Sequence, residues 1–126
     1  MSKNVDVVQG LYASFARGDV PAVLAALDTG IDWNAPSSVF GEKGHASGSD
    51  DVGRFFGELG SYFPELAVRP KECLDAGDAV VVLGHHVGRG ENGAFDADFV
   101  HVWRLRDGKA TSFHEVADTA PIVASL

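Results

Sequence analysis

Between Val5 and Ala16 the apolar positions include Val5, Val8, Leu11, Tyr12, Phe15 and Ala16. Steps of three and four lay them on one stripe, so the pattern predicts a first helix. Gly18 ends it. Asp19 offers a cap for a second helix, with Pro21 in its first turn, where a missing N–H costs nothing. That helix carries Val20, Val23, Leu24 and Leu27 and is expected to end near Gly30. Ile31 to Asn34 reads as a short strand closed by Ala35-Pro36. The stretch from Ser37 to Ser49 is rich in Gly and Ser and reads as a loop. A third helix follows a cap at Ser49 or Asp50, runs from about Asp51 to Tyr62, carries Phe55, Phe56 and Leu59, and stops before Pro64.

Beyond Pro64 the period changes from helical to alternating. Four strands are expected: Leu66 to Asp75, Ala79 to Arg89, Ala94 to Arg106 and Lys109 to Val116. Turn residues separate them at Ala76-Gly77-Asp78, Glu91-Asn92-Gly93 and Asp107-Gly108, which makes an antiparallel meander. The tail from Thr119 to Leu126 forms a short last helix, capped by Asp118 or Thr119 with Pro121 in its first turn. Helices first and strands second give an α+β class, with helices packed on one face of a curved sheet. Long strands wrapped around helices leave a space between the two layers, and such a space is a candidate ligand site.

Composition narrows the partners. A length of 126 residues fits a single domain, 1–126, with one continuous core. The one cysteine, Cys73, forms no intrachain disulfide, so a reducing, cytoplasmic setting is expected and Cys73 reads as a small strand residue. The net charge of −8 comes without a basic stripe, which argues against nucleic acid and against an anionic membrane surface. The opening MSKNVDVVQG lacks the apolar core of a signal peptide, and apolar runs such as Ala79 to Leu83 are far too short to span a bilayer.

Two segments carry a family resemblance. VQGLYASFARGDVPAVLAALDTGIDWNAP, with Gly-Asp between two helices and a strand ending before Pro, resembles the SnoaL-like and ketosteroid isomerase-like families of the nuclear transport factor 2-like superfamily. FVHVWRLRDGKATSFHEVADTA resembles the same group, and the order of elements matches across nearly the whole chain. The resemblance implies a cone-shaped α+β barrel with an apolar pocket for a hydrophobic small molecule of polyketide or terpenoid type, and often a homodimer. Activities in the superfamily include steroid isomerisation, polyketide cyclisation, epoxide hydrolysis and dehydration, and some members have no known catalysis. Aligned with ketosteroid isomerase, the base position falls on Ala35, the oxyanion tyrosine on Phe15 and its partner acid on His101, so that mechanism is not supported. Aligned with limonene epoxide hydrolase, the Arg falls on His86, one Asp on Gly88 and the other on Glu115, which keeps one carboxylate of the trio. SnoaL-type cyclases use an inward acid/base group, a place that Glu115 or His101 can fill.

The tetrapeptide Phe113-His114-Glu115-Val116 poses the question of phase, since each face of that strand carries one apolar and one polar residue. A two-residue Asp107-Gly108 turn pairs Arg106 with Lys109, sets His101 opposite His114, and groups the inward residues of the preceding strand with Ala110, Ser112 and His114. A three-residue loop with Gly108 left-handed pairs Leu105 with Lys109 and sets His101 opposite Phe113 and Phe99 opposite Glu115. The second gives the richer face, with Phe99, His101, Trp103, Leu105, Phe113 and Glu115 together, and agrees with the family alignment, so it is preferred. Val100, Val102, Arg104, His114 and Val116 then form an outer face suited to a homodimer contact. On the strand Ala79 to Arg89 the same alignment turns Val80, Val82, Gly84 and His86 inward and His85 outward.

The inward set yields candidate catalytic residues Glu115, His101 and His86. Tyr12, Phe15, Trp33, Phe55, Phe63, Val82, Phe99, Trp103 and Phe113 are candidates for the substrate wall. A carboxylate among aromatic rings is desolvated and suited to proton transfer, and a neighbouring histidine can shuttle the proton. Each has a plainer reading. Glu115 can be a structural group paired with a histidine, His101 between two valines a hydrogen-bonded core residue, and His86 a bulge residue beside Gly84 and Gly88. The tryptophans can be core walls, and His45 a solvated residue in a loop that could act as a lid. Two histidines and a carboxylate are the donors of a facial iron triad, but the spacing matches no recognised motif, and neither metal nor cofactor is expected. GSDDVG and GRGENG read as turns rather than phosphate loops. Two functions follow. The first is a cofactor-free isomerase, cyclase, dehydratase or epoxide hydrolase with Glu115 as acid or base. The second is a non-catalytic binding or dimerisation module of the same fold.

Overall fold

The computed structural model describes residues 3–126; Met1 and Ser2, the first two residues of the stretch read as lacking a signal core, lie outside the described residues. The chain runs α1 (Lys3–Ala16), α2 (Val20–Ala25), β1 (Leu27–Asn34), a single-turn α3 (Ser37–Phe40) and a 3₁₀ turn (Gly41–Gly44). It continues β2 (His45–Ser47), α4 (Ser49–Tyr62), β3 (Glu65–Asp75), β4 (Ala79–Gly90), β5 (Gly93–Arg106), β6 (Lys109–Ala117) and α5 (Thr119–Ser125). One open six-stranded sheet has the order β2-β1-β6-β5-β4-β3. The expected meander β3 to β6 is antiparallel throughout. β1 adds to it in parallel beside β6, and β2 pairs antiparallel with β1 at the edge. The class is α+β, with the cone-like curvature expected. No helix among the described residues is long and apolar enough to cross a membrane.

Three expected boundaries move. The second helix stops at Ala25 rather than near Gly30, although Asp19 caps it as expected by accepting the Ala22 N–H at 3.2 Å. Leu27 already pairs with Ala110 across the sheet, so ladder hydrogen bonds override the helix propensity of the Leu-Ala-Ala-Leu run and make the strand longer than Ile31–Asn34. The Ser37–Ser49 loop contains α3, the 3₁₀ turn and β2. The cap of α4 is Gly48 rather than Ser49 or Asp50: its φ of 90° suits glycine, and an added Cβ would lie 2.9 Å from the Thr29 carbonyl oxygen.

The preferred turn at Asp107-Gly108 is also corrected. Arg106 pairs with Lys109, so the loop has two residues, and Asp107 (φ 52°) and Gly108 (φ 77°) both take the left-handed conformation that such a hairpin requires. Taken alone, that turn would place His114 inside. A bulge prevents it. Leu105 pairs with Ala110, but Arg104 pairs with Ser112, so Thr111 is the extra residue and its hydroxyl donates to the Arg104 carbonyl. Beyond the bulge Trp103 faces Phe113, His101 faces Glu115 and Phe99 faces Ala117. The expected inner face, including Phe113 and Glu115, is therefore correct, while its pairing partners were not: His101 does not oppose Phe113, nor Phe99 Glu115.

The core lies on the concave side. Val8 and Leu11 of α1, Val23 of α2 and Val52 and Phe55 of α4 meet Ile31, Trp33, Val80, Val82, Phe99, Trp103 and Phe113 of the sheet. A smaller cluster of Phe63, Phe95, Ala97 and Ile122 closes the other end under α5. Gly84 admits this packing, because a Cβ there would meet the Phe99 ring at 2.7 Å and the Arg69 carbonyl at 2.4 Å.

Candidate functional site

Register builds the polar centre of the molecule. His101 and Glu115 are direct cross-strand partners on β5 and β6, so their inward side chains start close together. His86 on β4 stands opposite Ala97. His86 Nε2 lies 3.1 Å from Glu115 Oε2, and His101 Nε2 lies 3.0 Å from Glu115 Oε1. Phe99 lies against both imidazoles, stacked on His101 at 3.8 Å between ring centres and tilted against His86 at 4.6 Å.

The hydrogen-bond directions follow from the chemistry of each group. Indole N–H can only donate, so Trp103 Nε1 donates to the Tyr12 oxygen at 2.9 Å. Tyr12 then donates its own proton to His101 Nδ1 at 2.5 Å. His101 is thereby the Nε2–H tautomer and donates to Glu115. An ionised carboxylate only accepts, so His86 Nε2 also donates to it, and the Nδ1 of a neutral His86 is a bare lone pair. That Nδ1 is buried and has no hydrogen-bond partner.

Electrostatics agree with this assignment. Burial pushes Glu115 upward, but the hydrogen bonds from His101 and then His86 outweigh it and hold the carboxyl low, at about 2. Burial holds His101 below the ordinary imidazole range against the opposing pull of Glu115. At neutral pH His101 is therefore uncharged, and Glu115 is held by imidazole N–H donors rather than by an ion pair with His101. Burial raises the Tyr12 hydroxyl and keeps it protonated.

These groups line an apolar cavity of about 100 Å³ between helices and sheet. Of the expected residues, Glu115, His101, His86, Tyr12, Phe15, Trp33, Phe55, Phe63, Trp103 and Phe113 line it. Val82 and Phe99 do not: they are buried behind the wall, Phe99 as the plate under the imidazoles. The sequence reading missed Phe40, Phe56, Phe95 and Ile122, which also line it. Phe95 was legible, being in phase with Phe99 on β5. Phe40 was hidden in a segment read as loop. His45 is exposed on β2 and hydrogen-bonds Asp32 at 2.8 Å, away from the cavity lining.

His86, His101 and Glu115 offer donor atoms within 4.8 Å of one another, a spacing in reach of a divalent cation. Loading such an ion would require displacing the Nε2 protons now donated to the carboxylate.

Comparisons with known proteins place this geometry in context. A sequence model of the SnoaL-like domain matches residues 8–113. None of the curated proteins matches the chain. A solved structure of an NTF2-like protein of unknown function from Burkholderia pseudomallei is 35% identical, with 99% of this chain and 98% of that chain covered and a TM-score of 0.91. TerC, crystallised with polyporic acid, is 29% identical over 94% of this chain and 93% of its own, with a TM-score of 0.85. IdmH of Streptomyces antibioticus, a proposed polyketide cyclase, is 18% identical over 98% of both chains with a TM-score of 0.81, which speaks to the fold alone.

Proposed function

The chain belongs to the SnoaL-like family, and from that premise and the geometry of the cavity we propose that it is a cofactor-free proton-transfer enzyme acting on a hydrophobic small molecule. The observation that carries the reading is His86, which lines the apolar cavity of about 100 Å³ and whose buried Nδ1 has no hydrogen-bond partner. Glu115 is a poor base, because both its oxygens already accept imidazole N–H groups and its carboxyl is held at about 2. Its role is to orient His86 and to offset the positive charge when His86 takes a proton. His86 Nδ1 removes a proton from the bound molecule and returns it at another atom. The net result is isomerisation, cyclisation or, with loss of a hydroxyl as water, dehydration. His101, fixed by Tyr12, holds the second oxygen of Glu115. The aromatic walls bind the molecule, and the crystallisation of TerC with polyporic acid supports a small-molecule ligand for this architecture. We also propose that the chain pairs as a homodimer through the outer face of β5 and β6.

The test is proton exchange. A panel of neutral aromatic ketones incubated with the protein in D₂O should show accelerated α-deuteration by NMR. His86→Gln should slow it by about 10²–10⁴-fold while leaving the fold intact. Exchange at the wild-type rate in that variant overturns the role of His86. Ketones that bind without any exchange establish the alternative, a binding module.

A further inference from the structure

Among the described residues, two buried side-chain nitrogens lack a hydrogen-bond partner: His86 Nδ1 and Trp33 Nε1. Both residues line the same cavity. They are of opposite sense, since the indole N–H only donates and the neutral imidazole Nδ1 only accepts. Most buried polar side-chain atoms of a folded protein have a partner, and each one left without costs about 1–3 kcal/mol. The Trp33 ring is firmly held. Register sets it beside Phe113 on the neighbouring strand, and the two rings stack at 3.9 Å, with Phe56 and Trp103 edge-on at 5.5 and 5.8 Å. Those rings fix the indole plane and supply no nitrogen or oxygen acceptor. The other tryptophan, Trp103, has its N–H satisfied by Tyr12.

The remaining lining restricts charge. Among the described residues no lysine or arginine lines the cavity, and the ionised Glu115 does. An anionic ligand would face a carboxylate in a low-dielectric space without a counter-charge. The volume, about 100 Å³, is of the order of the ~150 Å³ cavity known to hold benzene.

We propose that the Trp33 indole N–H is a ligand-binding donor that works as a pair with His86 Nδ1. The pair selects an uncharged aromatic molecule carrying both an oxygen acceptor and an acidic hydrogen, a hydroxyaryl ketone being the simplest. The carbonyl oxygen accepts from Trp33 and the hydroxyl donates to His86. This builds on the reading of the cavity as a proton-transfer site, and it gives Trp33, otherwise a wall of the core, a role in specificity.

The experiment compares matched single-ring probes by calorimetry: the three isomers of hydroxyacetophenone, 4-ethylphenol, which lacks the carbonyl, and 4-hydroxybenzoate, which is anionic. At least one hydroxyacetophenone isomer should bind tighter than both. Trp33→Phe should weaken that isomer about tenfold and change 4-ethylphenol by less than twofold. Equal losses for the two probes, or 4-hydroxybenzoate binding as tightly as the ketones, overturn the proposal. The wild-type protein gives a second reading that does not depend on the variant folding. Its two indole N–H signals are distinguishable by NMR, and the ketone should move that of Trp33 far more than 4-ethylphenol does, with Trp103 as internal control. An unmoved Trp33 signal at saturation sinks the donor role. Trp33-dependent binding of the hydroxyketone preserves this inference, and bound ketones without the hydroxyl that show no deuterium exchange remove the catalytic reading. Exchange that depends on His86 but not on Trp33 does the reverse.

Discussion

Tyr12 shows what a single side chain contributes. The sequence places it on the inner stripe of the first helix and offers its hydroxyl to the cavity. In the structure that hydroxyl is already committed, accepting from Trp103 and donating to His101 Nδ1. The inward direction was legible from helical spacing. The hydrogen bonds were not, because they join residues 89 and 91 positions away through a register that the sequence left open. The same holds for Glu115: alternation gave its face, but only the contacts with His101 and His86 reveal that each of its oxygens already accepts a hydrogen bond. Tyr12→Phe should therefore cost more than one hydrogen bond. It leaves Trp103 Nε1 and His101 Nδ1 both buried and unpaired, a loss of about 2–6 kcal/mol at roughly 1–3 each. Urea denaturation of the variant measures it. A loss below about 0.5 kcal/mol would mean that the chain through Tyr12 does not hold in solution.

At the scale of elements, β6 is the instructive case. Asp-Gly between alternating residues is a strong signal for a two-residue hairpin, and the turn is indeed of that kind. The apolar pattern beyond it demands the opposite phase. Both signals are right, and Thr111 reconciles them by bulging. A bulge has no signature of its own in this sequence, so the inner face was legible while the partners were not. The parallel pairing of β1 with β6 was likewise invisible, since nothing local to Ile31–Asn34 names its neighbour. The opposite side of this hairpin bears on assembly. Val116 is 59% exposed on it, with Val100 and Val102 half-buried alongside. A second copy covering that face would remove the apolar surface from water. Sedimentation should give twice the chain mass, and Val116→Asp should shift the material toward the monomer with an unchanged circular dichroism spectrum. A wild-type protein that sediments as a monomer at tens of micromolar would exclude the contact.

For the whole molecule, the order of helices and strands was enough to read the class, because it depends on the sequence of patterns rather than on any one boundary, while the family was read from the resemblance of two segments. Global stability depends on the part that was not readable, the buried centre, and its response to acid follows from two shifts. His101 has a folded pKa below its ordinary 6.5, chiefly because burial disfavours the cation, with Glu115, His86 and Tyr12 facing it. The unfolded chain therefore binds a proton below about pH 6.5 that the native state refuses. Stability is full above that value and declines as the pH falls through it, with a slope of up to about 1.4 kcal/mol per pH unit for one proton. Glu115 falls from 4.5 to about 2 on folding, so its contribution is present above about pH 4.5 and is lost between there and about 2. Integrated, that is on the order of 3 kcal/mol. Both signs point the same way, so acid should destabilise the protein in two successive stages. Guanidinium midpoints taken every half unit from about pH 8 to 2 should fall first below 6.5 and again below about 4.5, and His101→Gln, which cannot titrate, should flatten that first stage while keeping the second. A wild-type profile that is level between pH 6.5 and 5, or a first stage that persists in the variant, would show that the buried imidazole does not stay neutral on folding.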